Sequence, residues 1–169
     1  MRYLAGIAAI ALFCGFSVLS AQRNSVNFAG NWKISSATSI SGALSDKDLQ
    51  INPGTLKIDQ STNKLVIEGF QIDPHDGSSL VKTMAYRLDG GKSLNDNGNS
   101  DVNVSNARWT DNGNKLTIKT RTTRIDQGNE FSYKEVQVLS LEHGNLVINV
   151  SYNTPYSENN YEVVYERNS

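Results

Sequence analysis

Cysteine is nearly absent from this chain. The single one, Cys14, lies in an apolar stretch near the start. Past that stretch there is no disulfide, no thiol nucleophile and no thiolate metal site. Histidine is as scarce. His75 falls in an acidic segment, Asp73-Pro74-His75-Asp76-Gly77, and His143 in a turn, Glu142-His143-Gly144-Asn145. Neither has beside it the positioned partner that acid–base catalysis requires. Runs of basic charge are missing too. The 16 Lys and Arg residues are interspersed with 17 acidic ones, which argues against nucleic acid as a partner, since that needs a clustered cationic surface. No phosphate-binding Gly-rich loop, Gly-x-Ser-x-Gly or His-Glu-x-x-His occurs. The stretch Asn95 to Asp101 has the Asn and Asp density of a calcium loop but lacks its terminal Glu. These absences lead to the expectation of a non-enzyme with no metal and no cofactor.

What is present begins with a targeting pattern. Met1-Arg2-Tyr3 is a short basic start, Leu4 to Leu19 is apolar, and Ser20-Ala21 supplies small side chains. This is the three-part layout of a secretory signal peptide. The apolar run falls short of the ~20 residues of a membrane span. Leu12-Phe13 before Cys14 do not suit a lipidation site, which has small residues there. The expected organisation is a signal peptide over residues 1–21, one domain over residues 22–169, no membrane span in the mature chain, and a secreted or periplasmic location.

The rest reads as strand, turn, strand. Expected strands are Asn31–Ser35, Thr55–Gln60, Lys64–Ile72, Ser79–Leu88, Asp101–Trp109, Lys115–Arg124, Phe131–Leu141, Leu146–Tyr152 and Tyr161–Arg167. In the sixth, Leu116, Ile118, Thr120 and Thr122 alternate with Lys115, Thr117, Lys119 and Arg121, a period of two with one buried and one wet face. Asn52-Pro53-Gly54, Asp89-Gly90-Gly91 and Asn112-Gly113 are turn signals. Ser36–Pro53 reads as a long connection with at most one helical turn near Asp46, suited to a lid. Ser93–Ser100 reads as an exposed loop. Gly69 suggests a bend or bulge in its strand, and the phase slip between Tyr133, Val136 and Leu139 suggests another. Local connections and one apolar face predict an all-β fold: a single antiparallel up-and-down β-barrel of 8–10 strands, closed so that its edges vanish.

Phe28-x-Gly30-x-Trp32-Lys33, Tyr86-x-Leu88-Asp89-Gly90, Ala107-x-Trp109 and Leu139-Ser140 before Gly144 recur in this order over essentially the whole mature chain. In this the chain resembles a broad group of small exported bacterial proteins described as lipocalin-like. The Gly-x-Trp start is also shared with lipocalins, fatty-acid-binding proteins and avidins. Similar proteins often carry a second Trp where this chain has Gln137. The resemblance implies an antiparallel barrel plugged at one end by Gly30 and Trp32, with an Arg over the indole. Arg167 is the first candidate for that Arg and Arg108 the second.

Tyr86, Trp109, Tyr152, Tyr161 and Tyr165 fall on the apolar faces of their strands, and buried tyrosine hydroxyls suit a cavity with a polar handle. They are the expected ligand-binding residues of a barrel whose partner is a small hydrophobic or amphipathic ligand. The alternative is a cell-envelope interaction module with no small-molecule ligand.

Overall fold

The computed structural model describes residues 25–42, 52–72, 79–96, 101–126 and 129–168. The expected signal peptide, the helical turn near Asp46 and the segment with His75 lie outside these residues. None of the described residues forms a helix long and apolar enough to cross a membrane.

The strands are β1 (Gly30–Ser41), β2 (Thr55–Gln60), β3 (Lys64–Ile72), β4 (Ser79–Arg87), β5 (Lys92–Asp96), β6 (Val102–Thr110), β7 (Lys115–Asp126), β8 (Asn129–Glu142), β9 (Asn145–Asn153) and β10 (Glu158–Arg167). They form one sheet in the order β4-β3-β2-β1-β10-β9-β8-β7-β6-β5. Every neighbour pair is antiparallel. The first and last strands meet along Trp32↔Arg167 to Ser41↔Asn160, with register shifts after Ile34 and after Ser39. The result is a nearly closed up-and-down barrel whose seam lies between β4 and β5.

The seam explains a strand that alternation did not reveal. Lys92–Asp96 is β5, not part of an exposed loop. Its inward residues, Ser93 and Asn95, are polar yet buried. The Asn95 amide stands in for a strand edge: its Oδ1 accepts from the Ala85 N–H at 2.8 Å, and its Nδ2 donates to the Ala85 carbonyl at 3.1 Å. Ser93 Oγ accepts from the Arg87 N–H at 2.8 Å. Side chains thus satisfy backbone groups that a ladder would otherwise pair.

Three more expectations need correction. β1 runs on to Ser41, because Ser36–Ser41 pair with β10, so that part of the supposed lid is strand. Residues 43–51 lie outside the described set. β8 keeps an unbroken register with β7 from Lys115↔Ser140 to Asp126↔Asn129. The apparent phase slip came from Val136 and Val138, half-buried on the outer face while Glu135 and Gln137 face inward. β3 is equally continuous through Gly69, from Leu56↔Gly69 to Gly69↔Lys82. A Cβ there would lie 2.7 Å from Pro53 Cγ, so Gly69 makes room for the proline ring.

One end of the barrel is dry. Phe28, Trp32, Leu65, Leu116, Leu139 and Leu146 are fully buried, each stabilising the fold by roughly 1.5–3 kcal/mol through burial. The segment before β1 is laced across this end. Gln60 Oε1 accepts from the Phe28 N–H at 2.9 Å, and its Nε2 donates to the Val26 carbonyl at 2.9 Å. The Trp32 indole N–H donates to the Phe28 carbonyl at 2.9 Å. The Arg167 guanidinium carbon lies 4.1 Å from the Trp32 ring centroid, and its Nη1 donates to the Ala29 carbonyl at 2.8 Å. Arg108 instead turns to Asn106. Gly30, at φ 142°, is required here because a Cβ would collide with Arg167 Nη1.

Two outcomes follow. Arg167→Ala should lower unfolding free energy by about 1–3 kcal/mol, the combined scale of an exposed cation–π contact and a charged hydrogen bond. Urea denaturation followed by tryptophan fluorescence measures it, and a change below about 0.5 kcal/mol would show that the stack is ornamental. Asn95→Ala should raise hydrogen exchange at the Ala85 amide selectively, leaving the β7–β8 amides protected; uniform change would mean that the seam is held elsewhere.

Candidate functional site

Inward positions change character along the barrel. On β7 the inward sequence is Leu116, Ile118, Thr120, Thr122, and on β8 the residues opposite are Leu139, Gln137, Glu135 and Tyr133. Leu116, Leu139 and Ile118 lie towards the dry end, whereas Gln137 already faces a cavity. The next two pairs open this cavity, of about 360 Å³, towards the low end of the roughly 300–1,000 Å³ of small-molecule sites. Eight strands contribute to its wall. Leu56, Ile67, Met84, Ile148 and Val163 form an apolar side.

The other side is polar and internally bonded. Thr122 Oγ1 donates to Asn103 Oδ1 at 2.6 Å, and Ser105 and Thr120 share a hydrogen bond at 2.9 Å. Gln137 Nε2 donates to Glu135 Oε1 at 2.5 Å. Among the described residues, the only charged side chains lining the cavity are Glu135 and Lys82. Burial pushes the Glu135 carboxyl above its ordinary range, offset in part by the Gln137 hydrogen bond and the positive Lys82. Nearby, Arg124 grips the buried Asp101 with two hydrogen bonds, at 2.8 and 2.7 Å, and holds its carboxyl below the usual range.

The expected tyrosines divide. Tyr86, Tyr161 and Tyr165 line the cavity. Burial pushes all three phenols above the ordinary value, Tyr161 to about 12 and the other two higher still. Tyr165 donates to the Pro53 carbonyl at 3.2 Å. Tyr152 does not line the cavity but rests against Tyr133, which does, with centroids 5.2 Å apart. Trp109 lies at the dry end, stacked on Phe28 at 5.9 Å. Sequence reading missed Glu135, Gln137 and Thr122. Carrying the β7 alternation into β8 would have pointed Glu135 inward, because Thr120 is its partner.

No protein-family model matches the chain, and no curated protein does. Solved structures do match. A fatty acid transporter designated REP1-NXSQ is 12% identical with a TM-score of 0.53, covering 83% of this chain and 96% of its own. Zebrafish ileal bile acid-binding protein complexed with cholic acid is 16% identical with a TM-score of 0.54, over 83% and 98%. Apo lipid binding protein 8 of Caenorhabditis elegans is 14% identical with a TM-score of 0.53, over 83% and 95%. The shared fold is the nearly closed ten-stranded barrel.

The raised Glu135 pKa sets a sign for stability. The unfolded carboxyl ionises near its ordinary value of 4.5, whereas the folded one holds its proton to higher pH. Between those values the unfolded chain binds fewer protons, so stability falls as pH rises through that window. Glu135→Gln should therefore melt at a temperature that gains on the native protein from about pH 4.5 upward and then plateaus. A pH-independent difference in melting temperature would exclude a buried, proton-holding carboxyl.

Proposed function

We propose that this protein is an exported, lipocalin-like barrel that binds a small hydrophobic or amphipathic molecule inside. The observation that carries this is the 360 Å³ cavity, apolar on one side and hydrogen-bonded on the other, above a dry and sealed base. The similar structures support it: a fatty acid transporter, a bile acid-binding protein holding cholic acid, and a lipid binding protein. Export rests on the apolar Leu4–Leu19 run and its small-residue end. The cavity presents one carboxylate and no carboxylate pair among the described residues, so its walls suit holding a molecule rather than shuttling protons through it.

Nile red, a neutral apolar dye, tests the reading. It should brighten on binding the native protein, and Gln137→Trp should cut its affinity about tenfold or more by filling the cavity with an indole. Far-UV circular dichroism checks that the barrel is intact. An intact Gln137→Trp variant with unchanged dye affinity would place the dye outside the barrel and defeat the proposal.

A further inference from the structure

The polar side of the cavity holds one carboxyl group with tyrosine rings among its neighbours. Glu135 sits on β8 between Thr120 of β7 and Tyr152 of β9. Its charge is felt at Tyr86, Tyr152 and Tyr161, and Tyr133 lines the same wall. A carboxylate offers about four acceptor sites. Among the described residues it receives one hydrogen bond, from Gln137. Tyr86 is 3% exposed and lines the cavity, yet its hydroxyl has no hydrogen-bond partner among the described residues. Buried polar groups are rarely left so. A carboxylate with open acceptor sites, an unmatched phenol and neighbouring π-faces all favour the same visitor, one that brings positive charge and N–H donors.

The charged surroundings point the same way. No arginine lines the cavity among the described residues. Lys82 does line it, but its side chain is exposed, and no ion pair joins it to Glu135 among the described residues. Arg124 is committed to Asp101. A ligand carboxylate entering to the depth of Glu135 would meet like charge there, with only the Lys82 ammonium to offset it.

Resting on the ligand-binding reading above, we infer that Glu135 and the Tyr86 hydroxyl recognise the protonated head of an amine-bearing amphiphile. Its apolar part would lie against Leu56, Ile67, Met84, Ile148 and Val163. The ammonium would donate to the free Glu135 oxygen and to the Tyr86 oxygen, beside the Tyr133 ring that lines the same wall. Tyr86 stays neutral at physiological pH, so its oxygen can accept such a bond.

Displacement of Nile red by three ligands of equal chain length separates head-group from chain: decylamine, decanol and decanoate at neutral pH. Decylamine should bind about tenfold more tightly than decanol, the scale of a charge-assisted hydrogen bond, and decanoate most weakly. Glu135→Gln should level amine against alcohol, whereas Tyr86→Phe should narrow the preference without abolishing it. A decanoate affinity equal to or above that of decylamine overturns the inference, as does an amine preference that survives Glu135→Gln. If the dye binds but decanol and decylamine displace it equally in the native protein, the cavity reading stands and the head-group assignment falls. If none of the three displaces it, both fall.

Discussion

The stack of Arg167 on Trp32 is the constraint from which the rest of the molecule follows. It joins the last residues of β10 to the first residues of β1, and so turns a meander into a ring. With no disulfide within the described residues to hold the chain ends together, that junction is made of an indole, a guanidinium and the missing Cβ of Gly30. Each part depends on the others. The guanidinium reaches the Ala29 carbonyl only by passing over Gly30, and the indole spends its one N–H on Phe28. The Gly-x-Trp spacing is thus a statement about Arg167, which lies at the far end of the sequence.

Sealing one end settles what the other can do. A barrel of ten strands encloses more width than aliphatic side chains fill along its whole length. Near Trp32 that width is taken up by Phe28, Leu116, Leu139 and Leu146, which are wholly buried. Further along the same strands the inward residues become Thr120, Thr122, Gln137 and Glu135, and a cavity remains. The change from apolar to polar happens within single strands, so the two halves share one register. The interior is amphipathic because β7 and β8 are amphipathic along their length as well as across it.

Much of this frame could be read from residues. The Leu116–Thr122 alternation gave β7 correctly, and the apolar faces of β9 and β10 gave theirs. Trp32 and Arg167 were paired through family resemblance and lie together in space. β5 escaped because Ser93 and Asn95 are buried for their hydrogen-bonding, not their hydrophobicity, and period-two reading recognises only the latter. The site escaped for a related reason. Tyrosines advertise themselves as amphipathic, so Tyr86, Tyr161 and Tyr165 were expected inside. Glu135 and Gln137 look like solvent-facing residues until the register with Thr120 and Ile118 turns them inward. Trp109 misled in the opposite direction: its large apolar ring fits a cavity wall, but Phe28 offers it a stacking partner at the dry end.

The separation of base from cavity also bears on how such a scaffold can change ligand. The row Thr120, Glu135, Tyr152 crosses β7, β8 and β9, whose mutual registers run without a break. A substitution at position 135 alters charge inside the barrel without touching Trp32, Gly30 or Arg167. A likeness of fold at 12–16% identity therefore transmits the frame without the head-group chemistry. That chemistry has to be read from the handful of inward positions past Ile118. Here they present a carboxylate and phenols, with no arginine lining the cavity among the described residues, which is the physical reason to seek a cationic rather than an anionic ligand.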